Sequence, residues 1–374
     1  MKILPDIKIL DDFEEIEKID KSGMLKVSLN ASELAVKAIR LAEKIEFPKS
    51  YLNPVSIAVL GMGGSSIGGE LLKDWLSDKI SIPINICNNY WLPSHINEKS
   101  LVFAISYSGE TEETLTAFIE AYKRKCRLFA ITSGGRLKTF CEKLGIPYLL
   151  IPKGYAPRAA LPYMFFPLVI SIEKLGLISH IENELEETIQ IMREVSKENH
   201  VKKPFEQNLA KRLASELYGT IPIIYGFGQY ASVAHRCKTQ INENSKLMCK
   251  YDVFPELNHN EAVGWELPRR LAKKFSIVLL RDPEEPPEIR ERIEVTKKIA
   301  FKKTGRILEV KARGNSKLAK MFSLLQLGDL VSVYLAILQR KDPTPVKTID
   351  KVKKELKKRL RMVEKLEREV EKLL

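Results

Sequence analysis

Two short segments combine glycines with hydroxyl side chains directly after apolar runs. GMGGSSIGGE at residues 61–70 follows the apolar run 55–61, and SYSGETEET at residues 106–114 follows the apolar run 101–106. Between a buried parallel strand and a helix, main-chain N–H groups and the positive helix end attract anions. Glycines and neutral hydroxyls there suit a phosphate monoester that must bind and leave. The residues expected to bind the phosphate are Gly63, Gly64, Ser65, Ser106, Ser108, Thr111 and Thr114.

Other phosphate-binding motifs and a purely structural role are the alternatives. A dinucleotide fingerprint, G-x-G-x-x-G, needs glycine or alanine where Ser66 stands. It also needs an acidic residue after the next strand, where the chain has Cys87, Asn88 and Asn89. A Walker loop needs Gly-Lys-Ser/Thr, which is absent. A tight turn explains the first segment alone equally well, and helix capping contributes to the second. Two such segments on neighbouring strands favour a phosphate pocket.

Apolar runs that alternate with helical patterns predict an α/β fold, with parallel sheets covered by helices on both faces. In the first half, the runs predict strands at 55–61, 82–87, 101–106, 128–132 and 148–151. The second half repeats the order strand, glycine turn, helix and strand, with strands predicted at 221–228, 248–254, 275–281 and 306–313. We therefore expect two doubly wound parallel-sheet domains of one architecture, flanked by helices.

The 374 residues divide into five segments on the same patterns. They are a helical segment 1–44, a first α/β domain 45–178, a helical connector 179–204, a second α/β domain 205–340 and a C-terminal helix 341–374. One apolar stripe with steps of three and four residues, from Ile349 to Leu373, predicts that the last helix is long. Packing on its own domain, packing on a sister subunit and coiled-coil pairing all remain open for it.

Charge and apolar content narrow the class of protein. Lys and Arg total 61 against 48 Asp and Glu, a net charge of +13, which admits a nucleic-acid binder, a membrane-surface protein or an enzyme for anionic substrates. The cations are spread along helices without an aromatic-interleaved RNA-binding motif, so no nucleic acid is expected. The most apolar run, 161–172, is broken by two prolines and is shorter than the ~20 residues of a membrane span, so no membrane is expected.

Cysteine and histidine spacing gives no metal motif. The five cysteines form no CxxC pair, which predicts reduced, buried thiols in an intracellular protein. The two closest histidines, His180 and His200, are 20 residues apart, so HxH and HxxxH patterns are absent. We therefore expect no metal and no cofactor. The first 20 residues become acidic where a signal peptide would be apolar, which predicts a cytoplasmic protein.

The two hydroxyl-rich segments resemble the sugar isomerase (SIS) domain. Residues 45–355 as a whole resemble the bifunctional phosphoglucose/phosphomannose isomerases of archaea and some bacteria. Three further segments match that family in its own order: PR at 157–158, QINEN at 240–244 and PELNHNEAVGW at 255–265. The resemblance implies two SIS domains and a metal-independent aldose–ketose isomerase. Such an enzyme interconverts glucose 6-phosphate, and also mannose 6-phosphate, with fructose 6-phosphate through a cis-enediol.

This reaction needs a base, a group that opens the sugar ring, and positive charge near the developing enediolate. The resemblance implies Glu243 as the base, although by residue type alone it is an ordinary solvated glutamate. It implies that His259, in a loop rich in asparagine and acid, opens the ring, and that this histidine comes from the partner subunit of a homodimer. It implies Arg158 beside the enediolate. Lys353 in the last helix best fits the remaining cation, with Lys354 as the alternative register.

The resemblance leaves the substrate preference open. It links tolerance of both hexose epimers to a small threonine near the terminal lysine. Val346 stands seven residues before Lys353, so Thr344 or Thr348 would have to take that role. The relative preference for the two hexose phosphates, the oligomer size and the role of the extended C-terminal helix also stay open.

A phosphosugar-binding SIS regulatory protein without isomerase activity is the second hypothesis. It predicts an attached DNA-binding helix-turn-helix. The residues before the first strand have helical patterns but no basic helix. The sequence therefore favours the enzyme.

Overall fold

A computed structural model describes residues 6–374 of the chain. They form two compact units. The first-sheet unit comprises residues 33–181 and 346–374, and the second-sheet unit comprises residues 6–32 and 182–345. Residues 6–32 at the N-terminal end therefore belong with the second sheet, and the C-terminal helices belong with the first.

Nine strands form two parallel sheets within residues 6–374. They are β1 (Ser56–Leu60), β2 (Ile84–Cys87), β3 (Ser100–Ser106), β4 (Arg127–Thr132), β5 (Tyr148–Leu150), β6 (Ile221–Phe227), β7 (Lys250–Phe254), β8 (Phe275–Arg281) and β9 (Arg306–Lys311). The first sheet has the order β2-β1-β3-β4-β5, and the second has the order β7-β6-β8-β9. All neighbouring strands are parallel. The second order repeats the first four strands of the first sheet, which confirms the predicted repeat of one architecture.

Sixteen α-helices accompany the strands in the same part of the chain. They are α1 (Phe13–Ile19), α2 (Met24–Leu29), α3 (Ala31–Ala42), α4 (Gly64–Leu76), α5 (Glu112–Lys123), α6 (Gly135–Leu144), α7 (Leu161–Lys174), α8 (Glu182–Glu198), α9 (Leu209–Leu217), α10 (Ala231–Asn244), α11 (Glu261–Gly264), α12 (Arg269–Ala272), α13 (Pro287–Ile299), α14 (Lys317–Leu338), α15 (Lys347–Leu360) and α16 (Met362–Leu373). Strands β1 and β3 are buried along their whole length, as strands covered on both faces should be.

The proline-containing run 161–172 forms most of one buried helix, α7. Pro162 lies in its first turn, where no intrahelical donor is needed, but Pro167 lies inside it. An interior proline costs about 3 kcal/mol. Every residue of this run is buried, so packing outweighs that cost.

The predicted C-terminal helix is present in two parts. It is interrupted at Arg361, which has a left-handed backbone with φ of 45°. Helix α16 then packs Leu366 and Val370 into the core beneath α5 and α6. Ion pairs from α16 to those two helices include Arg136–Glu367, at 2.6 Å. Helix α16 therefore packs on the first-sheet unit of its own chain, and not on the second domain, which precedes it in the sequence.

One helix, α14, is long and apolar enough to cross a membrane by length and composition alone. It lies outside the run 161–172, on which the expectation of no membrane span was based. The most apolar window of α14 is 89% buried inside the protein. It packs against α8, α9 and α10, so it is the core helix of the second-sheet unit.

Candidate functional site

The turn after β3 holds its hydroxyls in a defined arrangement. Ser106, the last residue of β3, is fully buried, and its Oγ lies 3.0 Å from Oγ1 of Thr111. The same oxygen accepts a hydrogen bond from the Gly109 N–H at 3.1 Å. Thr111 immediately precedes α5, and its side chain makes no capping bond to that helix. The predicted Ser106 and Thr111 are thus brought together at a helix N-terminus, where an anion is favoured.

Two glycines allow this turn to pack against the turn after β4. Gly109 has φ of +69°, and a Cβ there would lie 1.8 Å from the carbonyl oxygen of Gly134. Gly135 has φ of +67°, and its Cβ would lie 2.4 Å from the carbonyl oxygen of Ser108. Any side chain at either position would push the two turns apart. The second turn was not predicted from the sequence, although the Gly134–Gly135 pair directly after a strand was its signal.

A cavity of about 290 Å³ opens beside the same turn. Its lining residues are Ser108, Glu110, Thr111, Glu112, Glu113, Lys353, Leu356, Lys357 and Val363. The structure therefore brings Ser108, Thr111 and Lys353 to one cavity, although the lysine lies in α15. Lys357, one turn further along α15, also lines the cavity and was not anticipated from the sequence.

Two of the three carboxylates in this cavity have partners of their own. Glu110 forms an ion pair with Arg136, and Glu112 accepts a hydrogen bond from the Tyr90 hydroxyl at 2.7 Å. Burial, together with the neighbouring Glu112, raises the pKa of Tyr90, so this hydroxyl keeps its proton. These contacts offset part of the negative charge beside Ser108 and Thr111 that would otherwise repel a phosphate.

Thr114 is a further predicted residue in the first turns of α5. It is buried, and its Oγ1 has no hydrogen-bond partner among the described residues. A buried hydroxyl without a partner costs roughly 1–3 kcal/mol. A ligand or water oxygen at this helix end would satisfy it.

The first glycine turn lies against the segment that contains Arg158. A Cβ on Gly64 would lie 3.2 Å from Cα of Arg158, which stands in the 3-10 helix Pro157–Ala160. The Ser65 hydroxyl donates a hydrogen bond to Sδ of Met164, at 3.3 Å. The structure thus places Gly63, Gly64 and Arg158 close together, and Ser65 can bind a phosphate through its hydroxyl only by turning away from Met164.

Glu243 lies one residue before the end of α10 in the second-sheet unit and is partly buried. The amides around it fasten the helix end. Asn244 Nδ2 donates to the Ser332 hydroxyl of α14 at 2.8 Å, and Asn242 Oδ1 accepts from the Cys249 N–H at 2.8 Å. Asn242 and Asn244 of the QINEN segment therefore hold the main chain around Glu243 in place.

His259 ends the short 3-10 helix Glu256–His259 and is exposed. The two nearby glutamates have other partners. Glu261 accepts a hydrogen bond from the Tyr225 hydroxyl, and Glu256 accepts one from Asn260 Nδ2 at 3.1 Å. His259 belongs to the same unit as Glu243 but to a different element, and Glu261 anchors its loop to β6.

Glu261, which anchors this loop, has a carboxyl group with a raised pKa. Burial raises the pKa of Glu261, and the neighbouring Asp252 raises it further, while the hydrogen bond from Tyr225 lowers it. Trp265 Nε1 donates to the same Tyr225 oxygen at 3.0 Å. The ring of Tyr225 stacks on Phe301. The His259 loop is therefore anchored on a buried aromatic cluster, beside which Glu261 and Asp252 lie.

The five cysteines are free and buried, as predicted. Burial raises the pKa of the Cys141 thiol to about 12 and that of Cys87 to about 11, so neither is a reactive thiolate at neutral pH. Across residues 6–374, no group of three or more His, Cys, Asp or Glu side chains is arranged to hold a metal ion.

Two parallel sheets of one topology, with hydroxyl-rich turns at strand ends of the first sheet, are the arrangement of a tandem sugar isomerase protein. The bacterial phospho-glucose isomerase C-terminal SIS domain family matches residues 206–356. A hypothetical protein of Thermus thermophilus has a similar fold, with a TM-score of 0.73 at 16% identity over 93% of this chain and 94% of that one.

Curated relatives narrow the class to a family. A bifunctional phosphoglucose/phosphomannose isomerase of Caldicellulosiruptor bescii is 42% identical over 89% of this chain and 98% of its own length. One from Aquifex aeolicus is 39% identical over 81% of this chain and 90% of its own. The chain belongs to the bifunctional phosphoglucose/phosphomannose isomerase family.

Proposed function

We propose that this chain is an aldose–ketose isomerase that interconverts glucose 6-phosphate and mannose 6-phosphate with fructose 6-phosphate. The observation that carries the proposal is the cavity that Ser108, Thr111 and Lys353 share in a chain of this family. It offers hydroxyls, a helix N-terminus and a cation to one phosphate group. The family names favour this enzyme over the phosphosugar-binding regulator.

In the proposed reaction, Glu243 moves a proton between adjacent carbons. Its carboxylate takes the proton from C2 of the open aldose, the C2–H electrons form the C1–C2 double bond, and O1 gains the negative charge of a cis-enediolate. The hydroxyl proton of O2 moves to O1 within this cis-enediol intermediate, which leaves the charge on O2. Glu243 then returns its proton to C1 as the C2=O bond forms, which gives the ketose. His259 transfers protons between the ring oxygen and O1 to open the ring. The positive charge of Arg158 stabilises the enediolate.

In this proposal the two units supply residues with different roles. Residues of the first-sheet unit bind the phosphate: Gly63, Gly64, Ser65, Ser106, Ser108, Thr111 and Thr114. Glu243 of the second-sheet unit is the base. A small threonine is expected to let the site accept both hexose epimers. Thr344 is the better candidate for this role than Thr348, because Thr344 is partly buried whereas Thr348 is exposed. No metal or cofactor takes part in the proposed chemistry.

The proposal includes a homodimer in which His259 reaches the partner's site, and a cytoplasmic location. The exposure of His259 on its loop is compatible with such a role. Neither a membrane nor a nucleic acid is a proposed partner.

A coupled assay tests this function. The purified chain is given fructose 6-phosphate or mannose 6-phosphate, and the glucose 6-phosphate formed is oxidised by its dehydrogenase, with and without a chelator. We expect turnover of both substrates, unchanged by the chelator. Binding without turnover would indicate the regulator, and loss of turnover on chelation would indicate a metal-dependent isomerase.

A further inference from the structure

The side chain of Lys246 reaches main-chain carbonyl groups from two separate segments. Its Nζ lies 2.9 Å from the carbonyl oxygen of Glu243 and 3.2 Å from that of Asn244. It lies 2.6 Å from the carbonyl oxygen of Pro343, which is 97 residues away in the sequence. One ammonium group thus joins the end of a helix to a distant turn through main-chain oxygens.

This position is a favourable one for a cation. Glu243 and Asn244 are the last two residues of α10, where carbonyl groups without intrahelical partners form the negative end of the helix. Lys246 itself has a left-handed backbone, with φ of 53°, which turns the chain back over that end. Lys246 therefore caps the C-terminal end of α10 at the main chain of Glu243, the proposed base.

The other segment that Lys246 contacts contains the threonine proposed to let the site accept both hexose phosphates. Pro343 follows α14 and precedes Thr344, the candidate for epimer tolerance. The Thr344 N–H donates to Oδ1 of Asp342 at 3.0 Å, so this stretch is a defined turn. Lys246 therefore joins the main chain of Glu243 to the turn that contains Thr344.

A separate set of contacts fixes α10 to α14. The Ser245 hydroxyl donates to the Ser332 carbonyl oxygen at 2.7 Å, and Arg236 binds Asp329 through two hydrogen bonds of 3.0 and 2.8 Å. Because these contacts hold the helix itself, loss of the Lys246 ammonium would loosen the helix end and the 342–345 turn without removing α10 from its unit.

We propose that Lys246 is a positioning residue of the isomerase. It sets the distance between Glu243 and the Thr344 turn, and through that distance it sets both the rate of proton transfer and the ratio of the two hexose phosphates. This inference rests on the proposed function of Glu243. The residues proposed to bind the phosphate belong to the other unit, so we expect replacement of Lys246 to change substrate affinity little.

The test uses Lys246→Met, which keeps the aliphatic stem, and Lys246→Arg, which restores a cationic donor. Lys238→Met, within α10, is the matched control. For Lys246→Met we expect kcat at least about tenfold lower, KM within about twofold, and the ratio of mannose to glucose 6-phosphate turnover changed at least about threefold, because a misplaced base loses rate but not binding. Lys246→Arg should recover kcat to within about threefold of wild type, and Lys238→Met should stay within about twofold.

A purely structural role would lower the melting temperature and leave kcat and the substrate ratio unchanged at temperatures well below it. That result, or an equal loss in Lys238→Met, overturns the proposal. Should Lys246→Met not fold, Lys246→Gln is measured against the same thresholds. Glu243→Gln distinguishes a failure of the proposed function from a failure of the proposed role of Lys246. If it is fully active, the proposed base is wrong, whereas an inactive Glu243→Gln beside an unaffected Lys246→Met removes the positioning role alone.

Discussion

Lys353 and Ser108 line the same cavity in the first-sheet unit, although they stand far apart in the sequence. Lys353 lies in α15, and Ser108 lies in the turn after β3. Lys354, the alternative register, is not among the residues that line this cavity. This location supports Lys353 as the cation that acts beside the hydroxyl groups proposed to bind the phosphate.

Replacing Lys353 should therefore cost much more activity than replacing its neighbour. A hydrogen bond from a cation to the phosphate contributes about 1.5–3 kcal/mol, which corresponds to roughly 10- to 100-fold in kcat/KM. We expect Lys353→Met to lower kcat/KM by about that factor and Lys354→Met to change it by less than about threefold. Steady-state kinetics on fructose 6-phosphate measure both. Equal effects of the two variants would mean that α15 acts only through its net charge.

Thr111 should contribute mainly to substrate affinity. Thr111→Val preserves the shape of the side chain but removes the hydroxyl beside Ser106. A hydrogen bond to a charged group contributes about 1.5–3 kcal/mol, so KM should rise about 10- to 100-fold. The control is Thr116→Val in the same helix, whose hydroxyl donates to the Glu112 carbonyl oxygen and lies outside the cavity. A KM for Thr111→Val within about twofold of wild type would remove Thr111 from the phosphate site.

Gly109 should be intolerant of a side chain. Gly109→Ala would place its Cβ 1.8 Å from the Gly134 carbonyl oxygen, so the free energy of unfolding should fall by more than about 4 kcal/mol. Gly145→Ala is the matched control, because Gly145 has a similar φ of +67° with open space around it. It should lose only about 1–2 kcal/mol, the cost of a left-handed backbone. Urea unfolding of both variants makes the comparison, and equal losses would show that the two turns do not pack as described.

Glu261 should make stability fall as pH rises. Burial raises its pKa in the folded protein above the ordinary value of 4.5, so the folded state holds this proton more tightly than the unfolded state. The stabilisation is therefore complete below pH 4.5 and is lost as pH rises through the folded pKa. Glu261→Gln removes this titration. The free energy of unfolding of wild type relative to this variant should decline as pH rises from about 4.5 through the raised pKa of Glu261, and a difference that does not change with pH would contradict this role.

The sheets could be predicted because a buried parallel strand leaves a continuous apolar run in the sequence. All nine observed strands fall at the predicted places, since each run is short and bounded by turn residues. The hydroxyl-rich turns were predictable for the same reason. Each follows directly from the end of a strand.

Features that depend on tertiary packing were not predictable. Pro167 is typical of a helix breaker, but burial of the entire run overrides that local preference. No local pattern indicates the interruption at Arg361, whose left-handed backbone follows from the way α16 packs on the first-sheet core. The choice of Lys353 over Lys354 and the reach of Lys246 to Pro343 depend on contacts between distant parts of the chain.

The central claim is that Glu243 moves the proton. Glu243→Gln keeps the size of the side chain and removes the base, so turnover should fall at least about 10⁴-fold while the affinity for a phosphosugar stays within about threefold. The most direct measurement is exchange of the C2 proton of glucose 6-phosphate in D₂O, followed by NMR. Wild type should exchange this proton and Glu243→Gln should not. Exchange at the wild-type rate in Glu243→Gln would contradict the account.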